Sequence, residues 1–142
     1  MKITIIGGGT AGWLSAMYLN RRNPDFDITL VESETIGIVG VGEGTVPNIT
    51  PFLKSLGIDE NDFMSRTNAT RKIGIAFDNW PGDSTSFNHD FFGSNYAYHF
   101  DTNIIGDYFK NIGRTRGINH IVDEVTGFKK EGDIIKSIHL AN

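Results

Sequence analysis

The sequence contains no cysteine, and this absence removes several kinds of chemistry at once. Disulfides, thiolate metal sites and thiol nucleophiles are excluded, so any redox chemistry has to come from a bound group. The chain also lacks a long apolar run, because no stretch approaches the roughly 20 residues that a membrane-spanning helix needs. No signal peptide is recognised at the N-terminus. We therefore expect a cytoplasmic protein with no membrane partner.

Basic residues are also scarce. The 13 lysines and arginines are outnumbered by 17 acidic residues, and no basic cluster is dense enough to bind a phosphate backbone. The four histidines lack the H-x-x-x-H and H-E-x-x-H spacings of common metal sites. We therefore expect neither a nucleic-acid partner nor a metal. A chain of 142 residues with 39% hydrophobic residues fits one globular domain, residues 1–142, with no second domain.

The first thirty residues have the pattern of a β-α-β unit. The β-branched run "KITII" ends at Gly7, the segment "TAGWLSAMYLNRRN" has helical spacing and stops before Pro24, and "FDITLVES" is a second strand. Parallel strands joined by a crossover helix begin a Rossmann-like fold. The predicted fold class is therefore α/β, with a Rossmann-like start, a helical middle region and a C-terminal β-hairpin.

The turn between the first strand and the helix has the G-x-G-x-x-G pattern of dinucleotide sites, and it consists of Gly7, Gly8, Gly9, Thr10, Ala11 and Gly12. The first glycine allows the tight turn, Gly9 allows backbone to approach a pyrophosphate, and Gly12 allows close packing of helix on strand. The helix N-terminus adds N–H donors from Thr10 and Ala11. Glu32, at the end of the second strand, is placed to accept hydrogen bonds from ribose. These residues predict a bound dinucleotide without deciding between FAD and NAD.

The rest of the chain alternates short elements. We expect two short helices over residues 45–67, with the first beginning at Thr45 or Asn48 and the second capped by Asp59. The segment "ATRKIGIAFDNW", residues 69–80, is expected to be β structure with Ile73, Ile75 and Phe77 on one face. A polar loop is expected over 81–95, followed by a short strand and an amphipathic helix over 96–117. Two strands over 118–130 and 134–142, joined by "EGD", predict the hairpin.

A second glycine-rich segment, "VGVGEGTVPN" at residues 39–48, needs a separate explanation because it holds one carboxylate, Glu43, among small residues. This segment resembles a motif of the flavin-dependent tryptophan halogenase family. Four other segments resemble further motifs of that family, in the same order along the chain: "GGGTAGW", "LGIDENDFM", "NATRKIGIAFDNW" and "YAYHFD". The resemblance covers nearly the whole chain. In that family the second glycine segment is a strap over the flavin, usually with alanine where Gly44 stands here.

The resemblance implies both cofactor and chemistry. FADH2 from a separate flavin reductase and O2 would oxidise halide to hypohalous acid, which halogenates a small aromatic substrate such as tryptophan or indole. The motif assigns halogen transfer to Lys72, which would donate a hydrogen bond to hypohalous acid or form a haloamine. Without the motif, a surface lysine on a strand edge is the simpler interpretation. Arg71 is the weaker candidate. The strap would contribute flavin contacts from Val41, Gly42, Glu43, Gly44 and Thr45.

Other motifs of the family are not found in these 142 residues, among them W-x-W-x-I-P and the glutamate that partners the lysine. We therefore expect the N-terminal fragment of a halogenase, with an incomplete sheet and no halogenation by the isolated chain. A complementing C-terminal chain is a further candidate partner. Two alternatives remain open: a non-catalytic FAD- or NAD-binding module, and an FAD monooxygenase that hydroxylates its substrate.

Overall fold

The structure, a computed structural model, describes residues 1–37, 42–80, 86–93 and 95–142. Within these residues the chain divides into two compact units, one formed by Met1–Val41 with Thr102–Asn142 and the other by Gly42–Asp101. The described helices are α1 (Thr10–Arg22), α2 (Ile49–Ser55), α3 (Glu60–Thr67) and α4 (Thr102–Thr115). None of these helices, within the part of the chain described, is long and apolar enough to cross a membrane.

The described strands follow one another in the order β1 (Lys2–Ile6), β2 (Asp27–Glu32), β3 (Glu43–Gly44), β4 (Thr70–Lys72), β5 (Gly74–Asp78), β6 (Ser86–Asp90), β7 (Ala97–Phe100), β8 (Asn119–Val122), β9 (Val125–Glu131) and β10 (Ile134–Leu140). In the first unit β1, β2 and β8 form a parallel sheet in that order. The predicted β-α-β start is therefore confirmed, with α1 as the connection between its two strands.

The core of the first unit centres on Trp13, which is fully buried where α1 packs against α4. Gly113 of α4 makes this approach possible, because a Cβ at that position would lie 2.5 Å from Cζ3 of the Trp13 ring. The ring also meets His120 of β8 edge-on, with 5.2 Å between ring centroids. One tryptophan therefore joins α1, α4 and the sheet.

The single strand predicted over residues 118–130 is wrong, because the structure divides it into β8 and β9. The division falls at Asp123 and Glu124, where the Asp123 side chain accepts a hydrogen bond from the backbone N–H of Glu124 and takes the place of a ladder partner. The predicted hairpin of β9 and β10 is confirmed, with Gly132 at φ +60° in its turn. Within the described residues these two strands pair only with each other.

The second unit contains an antiparallel sheet in the order β3, β7, β4. Alternate residues of β7 face opposite ways, so Tyr98 and Phe100 are buried against Phe63 of α3 while His99 is exposed. The two predicted helices are confirmed. Asp59 caps α3 through a hydrogen bond of 2.9 Å from the N–H of Asp62.

The β structure predicted over residues 69–80 is confirmed in β4 and β5, but it is not one continuous strand. It is interrupted at Ile73, which is 74% exposed, whereas Ile75 and Phe77 are partly buried, so the predicted common face of these three residues is wrong. The physical reason is that the two halves have different partners: β4 pairs with β7, whereas β5 pairs with β6. Gly74 follows the break, and a Cβ there would lie 2.9 Å from the His89 carbonyl oxygen.

The loop predicted over residues 81–95 contains a strand instead. Ser86–Asp90 forms β6, antiparallel to β5, and the rings of Phe77 and Phe87 stack with centroids 4.8 Å apart. All five residues of β6 are exposed, so the strand has no apolar face that could reveal it in the sequence. Residues 81–85 and 94 lie outside the described residues.

Candidate functional site

The glycine turn has the geometry that its sequence pattern predicts. Gly7 adopts φ +113° directly after β1, a conformation that favours glycine, and its N–H donates to the Val31 carbonyl at 2.8 Å. A Cβ on Gly12 would overlap the carbonyl oxygen of Gly7. Glycine at these two positions is therefore required by the backbone itself, and it brings the start of α1 against the end of β1.

The N-terminus of α1 is open to an anion. Gly9 is its N-cap residue, and within the described residues no side chain caps this end and no acidic residue lies in its first turn. The N–H groups of Thr10 and Ala11 lack intrahelical acceptors for the general reason that the first turn of any helix leaves them unpaired. A Cβ on Gly9 would meet nothing within 4 Å, so space remains beside the loop. An uncapped helix start of this kind suits a phosphate group.

A cavity of about 380 Å³ lies in the first unit, at the carboxyl ends of β1 and β2. Its lining combines the glycine turn with Glu32, and α4 contributes Gly106 and Lys110. This volume falls within the range of small-molecule pockets, about 300–1,000 Å³. The carboxyl ends of parallel strands are the usual location of ligands in open α/β sheets. The structure therefore brings together the predicted phosphate-binding turn and the predicted ribose acceptor.

Glu32 does not extend freely into this cavity. Its Oε1 accepts a hydrogen bond from His120 Nε2 at 2.8 Å and contacts Lys110 Nζ at 3.1 Å. Its other oxygen lies where a Cβ of Gly8 would be, so only glycine at position 8 leaves room for the carboxylate. Burial lowers the pKa of the Lys110 ammonium, but Glu32 and Asp107 outweigh that effect and raise the pKa above its usual value. Lys110 is therefore charged at neutral pH.

Sequence reasoning did not identify Lys110 or His120. The signal for His120 was indirect: β8 is parallel to β2, and the register that pairs Val122 with Glu32 places His120 two residues earlier on the neighbouring strand. For Lys110 the signal was its position one helical turn after Gly106, which lies at the cavity. Neither signal can be used until the strand order is known.

The described half of the predicted strap is held by the second unit. Glu43 and Gly44 form β3 and pair with β7, while the Glu43 side chain is exposed. Thr45 makes three hydrogen bonds with Tyr98, at 2.9–3.1 Å. The backbone N–H and the side-chain hydroxyl of Thr45 both donate to the Tyr98 carbonyl, and the Tyr98 N–H donates to Oγ1 of Thr45. Gly42 precedes this strand, and Val41 lies outside the described residues. Thr45 does not begin a helix, since α2 begins after Asn48.

Lys72 is the partly buried residue of β4, and its side chain points toward Thr45, which directly follows β3. Its Nζ donates a hydrogen bond to the Thr45 carbonyl at 3.1 Å and lies 5.8 Å from the centre of the Phe91 ring. It also lines a cavity of about 400 Å³ together with Asp90 and His99. The lysine that the motif singles out is therefore directed by a backbone contact into a cavity of the second unit.

Gly44 has a structural reason of its own. A Cβ at this position would lie 3.2 Å from the His99 ring, closer than ordinary van der Waals contact, and 3.4 Å from Lys72 Nζ, at contact distance. The glycine that stands where the family motif has alanine therefore leaves space for both side chains. It also places His99 beside Lys72 on one face of the sheet.

Arg71 points to the opposite face and is engaged there. Its guanidinium contacts Glu60 of α3 at 2.8 Å and stacks 4.5 Å from the Tyr96 ring centre, while the Tyr96 hydroxyl donates to the same carboxylate at 2.8 Å. Burial, followed by the charge of Glu60, raises the pKa of the Tyr98 phenol. Arg71 therefore anchors α3 to β4, which agrees with its ranking below Lys72.

Comparison with known proteins gives a consistent result. Residues 2–95 match the family described as tryptophan halogenase. The chain belongs to the tryptophan halogenase family. Over 89 residues it is 47% identical to the tryptophan 7-halogenase RebH of Lentzea aerocolonigenes, and over 91 residues it is 44% identical to the tryptophan 6-halogenase SttH of Streptomyces toxytricini.

Solved structures of flavin-dependent halogenases have the same fold. The chain superposes with a TM-score of 0.89 and 28% identity on Xcc4156 from Xanthomonas campestris, covering 99% of this chain and 39% of that one. With the structure of SttH from Streptomyces toxytricini the TM-score is 0.88, the identity is 30% and the coverage is 98% and 38%. The matched segment amounts to 17% of the full length of RebH and of SttH. The predicted family and fold are confirmed, and the solved structures that the chain resembles are those of flavin-dependent halogenases and a tryptophan 6-halogenase.

Proposed function

We propose that this chain carries FAD-binding residues of a flavin-dependent halogenase and that Lys72 is the lysine that transfers halogen. The observation that carries the cofactor part is the cavity in which the glycine turn and Glu32 meet. Membership of the tryptophan halogenase family supports FAD over NAD as the dinucleotide. A non-catalytic FAD-binding module is the alternative that the experiments below separate from it.

The residues at the first cavity suit the adenosine diphosphate half of FAD. The backbone of Gly7, Gly9 and Gly12 leaves the N–H groups of Thr10 and Ala11 to face the phosphates. Glu32 is the ribose acceptor, and its charge disfavours an additional 2′-phosphate. Bound reduced FAD would supply, together with O2, the two-electron oxidation of halide to hypohalous acid.

The strap residues enter the proposal through their motif. We include Val41, Gly42, Glu43, Gly44 and Thr45 as flavin contacts because the segment "GVGEGTVPN" resembles the family's strap motif. The two glycines among them would let backbone lie close to a flat ring system.

Lys72 has the geometry of a hydrogen-bond donor held in one direction. One N–H is used by the Thr45 carbonyl and an ammonium carries three, so among the described residues two remain for a ligand in the cavity. We propose that one of them binds the oxygen of hypohalous acid and polarises its halogen toward the substrate. Haloamine formation at Lys72 would first require the ammonium to lose a proton, as nucleophilic catalysis by lysine does.

The remaining parts of the reaction follow from the family. The names of the relatives point to tryptophan as the substrate, so we propose a small aromatic substrate of the indole class, with FADH2 supplied by a flavin reductase. A complementing chain that provides the remainder of the catalytic machinery belongs to the same proposal, since the chain spans 39% of a solved relative. The cytoplasmic location stays a prediction.

The cofactor proposal is tested by titrating FAD into the purified 142-residue chain while its fluorescence and the thermal unfolding of the protein are followed. Saturable quenching and a raised Tm are expected. Glu32→Gln should weaken binding, whereas Glu131→Gln, an exposed carboxylate of the hairpin, should not. Absence of saturable FAD binding by a folded chain would refute the proposal.

The role of Lys72 is tested in a chimaera that continues the chain with the C-terminal part of SttH. Lys72→Ala should abolish halogenation of tryptophan and leave FAD affinity unchanged. Lys54→Ala, which removes an exposed lysine of α2, is the matched control. Full halogenation by the Lys72→Ala chimaera would contradict the assignment, and FAD binding by a chimaera that never halogenates would favour the non-catalytic module.

A further inference from the structure

We propose that Lys110 and His120 are positioning residues of the nucleotide site, which hold the Glu32 carboxylate in the orientation that recognises the ribose 2′-hydroxyl. The inference deepens the proposed function and rests on it. Neither residue belongs to the glycine turn or to the strap. Both act through Glu32, so their effect should appear in the recognition of one hydroxyl group.

The argument begins with the way the two carboxylate oxygens are used. Oε1 receives both contacts, from His120 Nε2 at 2.8 Å and from Lys110 Nζ at 3.1 Å. The other oxygen, Oε2, lies over the α-carbon of Gly8 in the glycine turn. Because Oε1 has two strong donors, the carboxylate cannot rotate without losing a charge-assisted hydrogen bond. Oε2 is therefore kept beside the turn that would bind the phosphates.

The donors come from different elements of the first unit. His120 lies on β8, whose parallel register with β2 fixes its height beside Glu32, and Lys110 extends from α4. Their side chains are only 8% and 29% exposed, and that of Glu32 is 16% exposed. Water therefore competes weakly for these contacts, which makes them stronger than ion pairs on an open surface.

His120 is itself held in place by the core. The edge-on contact with Trp13, 5.2 Å between centroids, fixes the imidazole plane, and Trp13 is fully buried. The orientation of Glu32 is therefore set before any ligand arrives. A glutamate ordered in advance avoids a loss of side-chain entropy on binding.

The test compares ADP with 2′-deoxy-ADP as competitors of FAD fluorescence quenching by the full chain. A hydrogen bond from the 2′-hydroxyl to a carboxylate corresponds to a preference for ADP of about tenfold. Lys110→Met and His120→Phe should each reduce this preference to less than about threefold. Lys110→Arg, which keeps a cation at the same place, should restore it. Thermal melts confirm that each variant is folded.

Two controls separate a positioning role from a general one. Lys136→Met removes the lysine of an exposed Lys–Glu pair in the hairpin, 3.6 Å from Glu131, and should leave the preference unchanged. In a Glu32→Gln background, adding Lys110→Met should cause no further loss of preference, because the carboxylate that it positions is gone.

Several outcomes would overturn the inference. An equal loss of affinity for ADP and 2′-deoxy-ADP in Lys110→Met would mean that the lysine contacts the phosphates directly. Unchanged affinities for both ligands in both variants would mean that the contacts are structural only, although the proposed function would stand. Failure of the unaltered chain to bind FAD or ADP would overturn the proposed function and this inference together.

Discussion

Replacing Gly113 by alanine should destabilise the protein, although alanine is the better helix former. Gly113 lies in α4 directly against the face of Trp13, and a new Cβ would be 2.5 Å from Cζ3 and 2.7 Å from Cε3 of the ring. Both distances are well below the optimal carbon–carbon contact of about 3.5–4.0 Å. Either α4 or Trp13 has to move.

The magnitude follows from two opposing effects. Alanine in place of glycine in the interior of a helix gains about 0.8–1 kcal/mol. Overpacking of a close-packed core typically costs about 1–3 kcal/mol, and the upper part of that range applies because Trp13 is fully buried and its edge is occupied by His120. We therefore expect a net loss of about 1–2 kcal/mol in the free energy of unfolding, which lowers Tm by roughly 3–6 °C for a chain of this size.

Urea unfolding followed by tryptophan fluorescence and circular dichroism measures this difference directly. The matched control is Asn111→Ala, which also gains helix propensity, by a smaller amount, on the exposed side of α4 without touching Trp13. It should be neutral or stabilising. A Gly113→Ala variant as stable as the Asn111→Ala variant would refute the close packing of α4 on Trp13.

Three further changes have defined outcomes. Gly44→Ala should shift the NMR signals of the His99 ring, 3.2 Å from the new Cβ, with little loss of stability because the ring is exposed and can move. Asp59→Ala should cost about 1 kcal/mol in urea unfolding, since it removes the cap bonded to the Asp62 N–H. Glu60→Gln should abolish a pH-dependent part of stability: burial raises the pKa of Glu60, but hydrogen bonds to its carboxylate outweigh that effect and lower it below 4.5. That stability is present above pH 4.5 and is lost as the pH falls through the lowered pKa. In urea unfolding, the free energy of unfolding of the unaltered chain should therefore decrease over this pH range, and that of the variant should not show this decrease.

The β-α-β start could be predicted because its signals are local. A β-branched run, a glycine turn and a helical repeat follow one another within thirty residues, and each restricts the backbone by itself. The strand β6 could not be predicted in the same way. Ser86–Asp90 is exposed at all five residues and has only one apolar side chain, Phe87, so it shows no alternating pattern and forms a strand beside β5.

In the candidate site, too, the residue with a local sequence signal could be predicted and the residues that depend on the strand order could not. Glu32 was predicted from its distance to Gly12, since the length of one helix and one strand fixes that spacing. Lys110 and His120 were not, because their contacts with Glu32 depend on which strand follows β2 in the sheet. His120 and Glu32 are 88 residues apart in the chain. No local pattern spans such a separation.

The short strand β4 gives two adjacent cations entirely different neighbours. Arg71 contacts Glu60 of α3 on one face of the sheet, and Lys72 contacts Thr45, next to β3, on the other face. Successive residues of a strand point to opposite faces. A deletion or insertion of one residue between α3 and β4 would exchange them while leaving composition and net charge almost unchanged. Whether Lys72 lies on this face depends on whether its position along the strand is odd or even. The number of residues that precede it therefore matters as much as its identity.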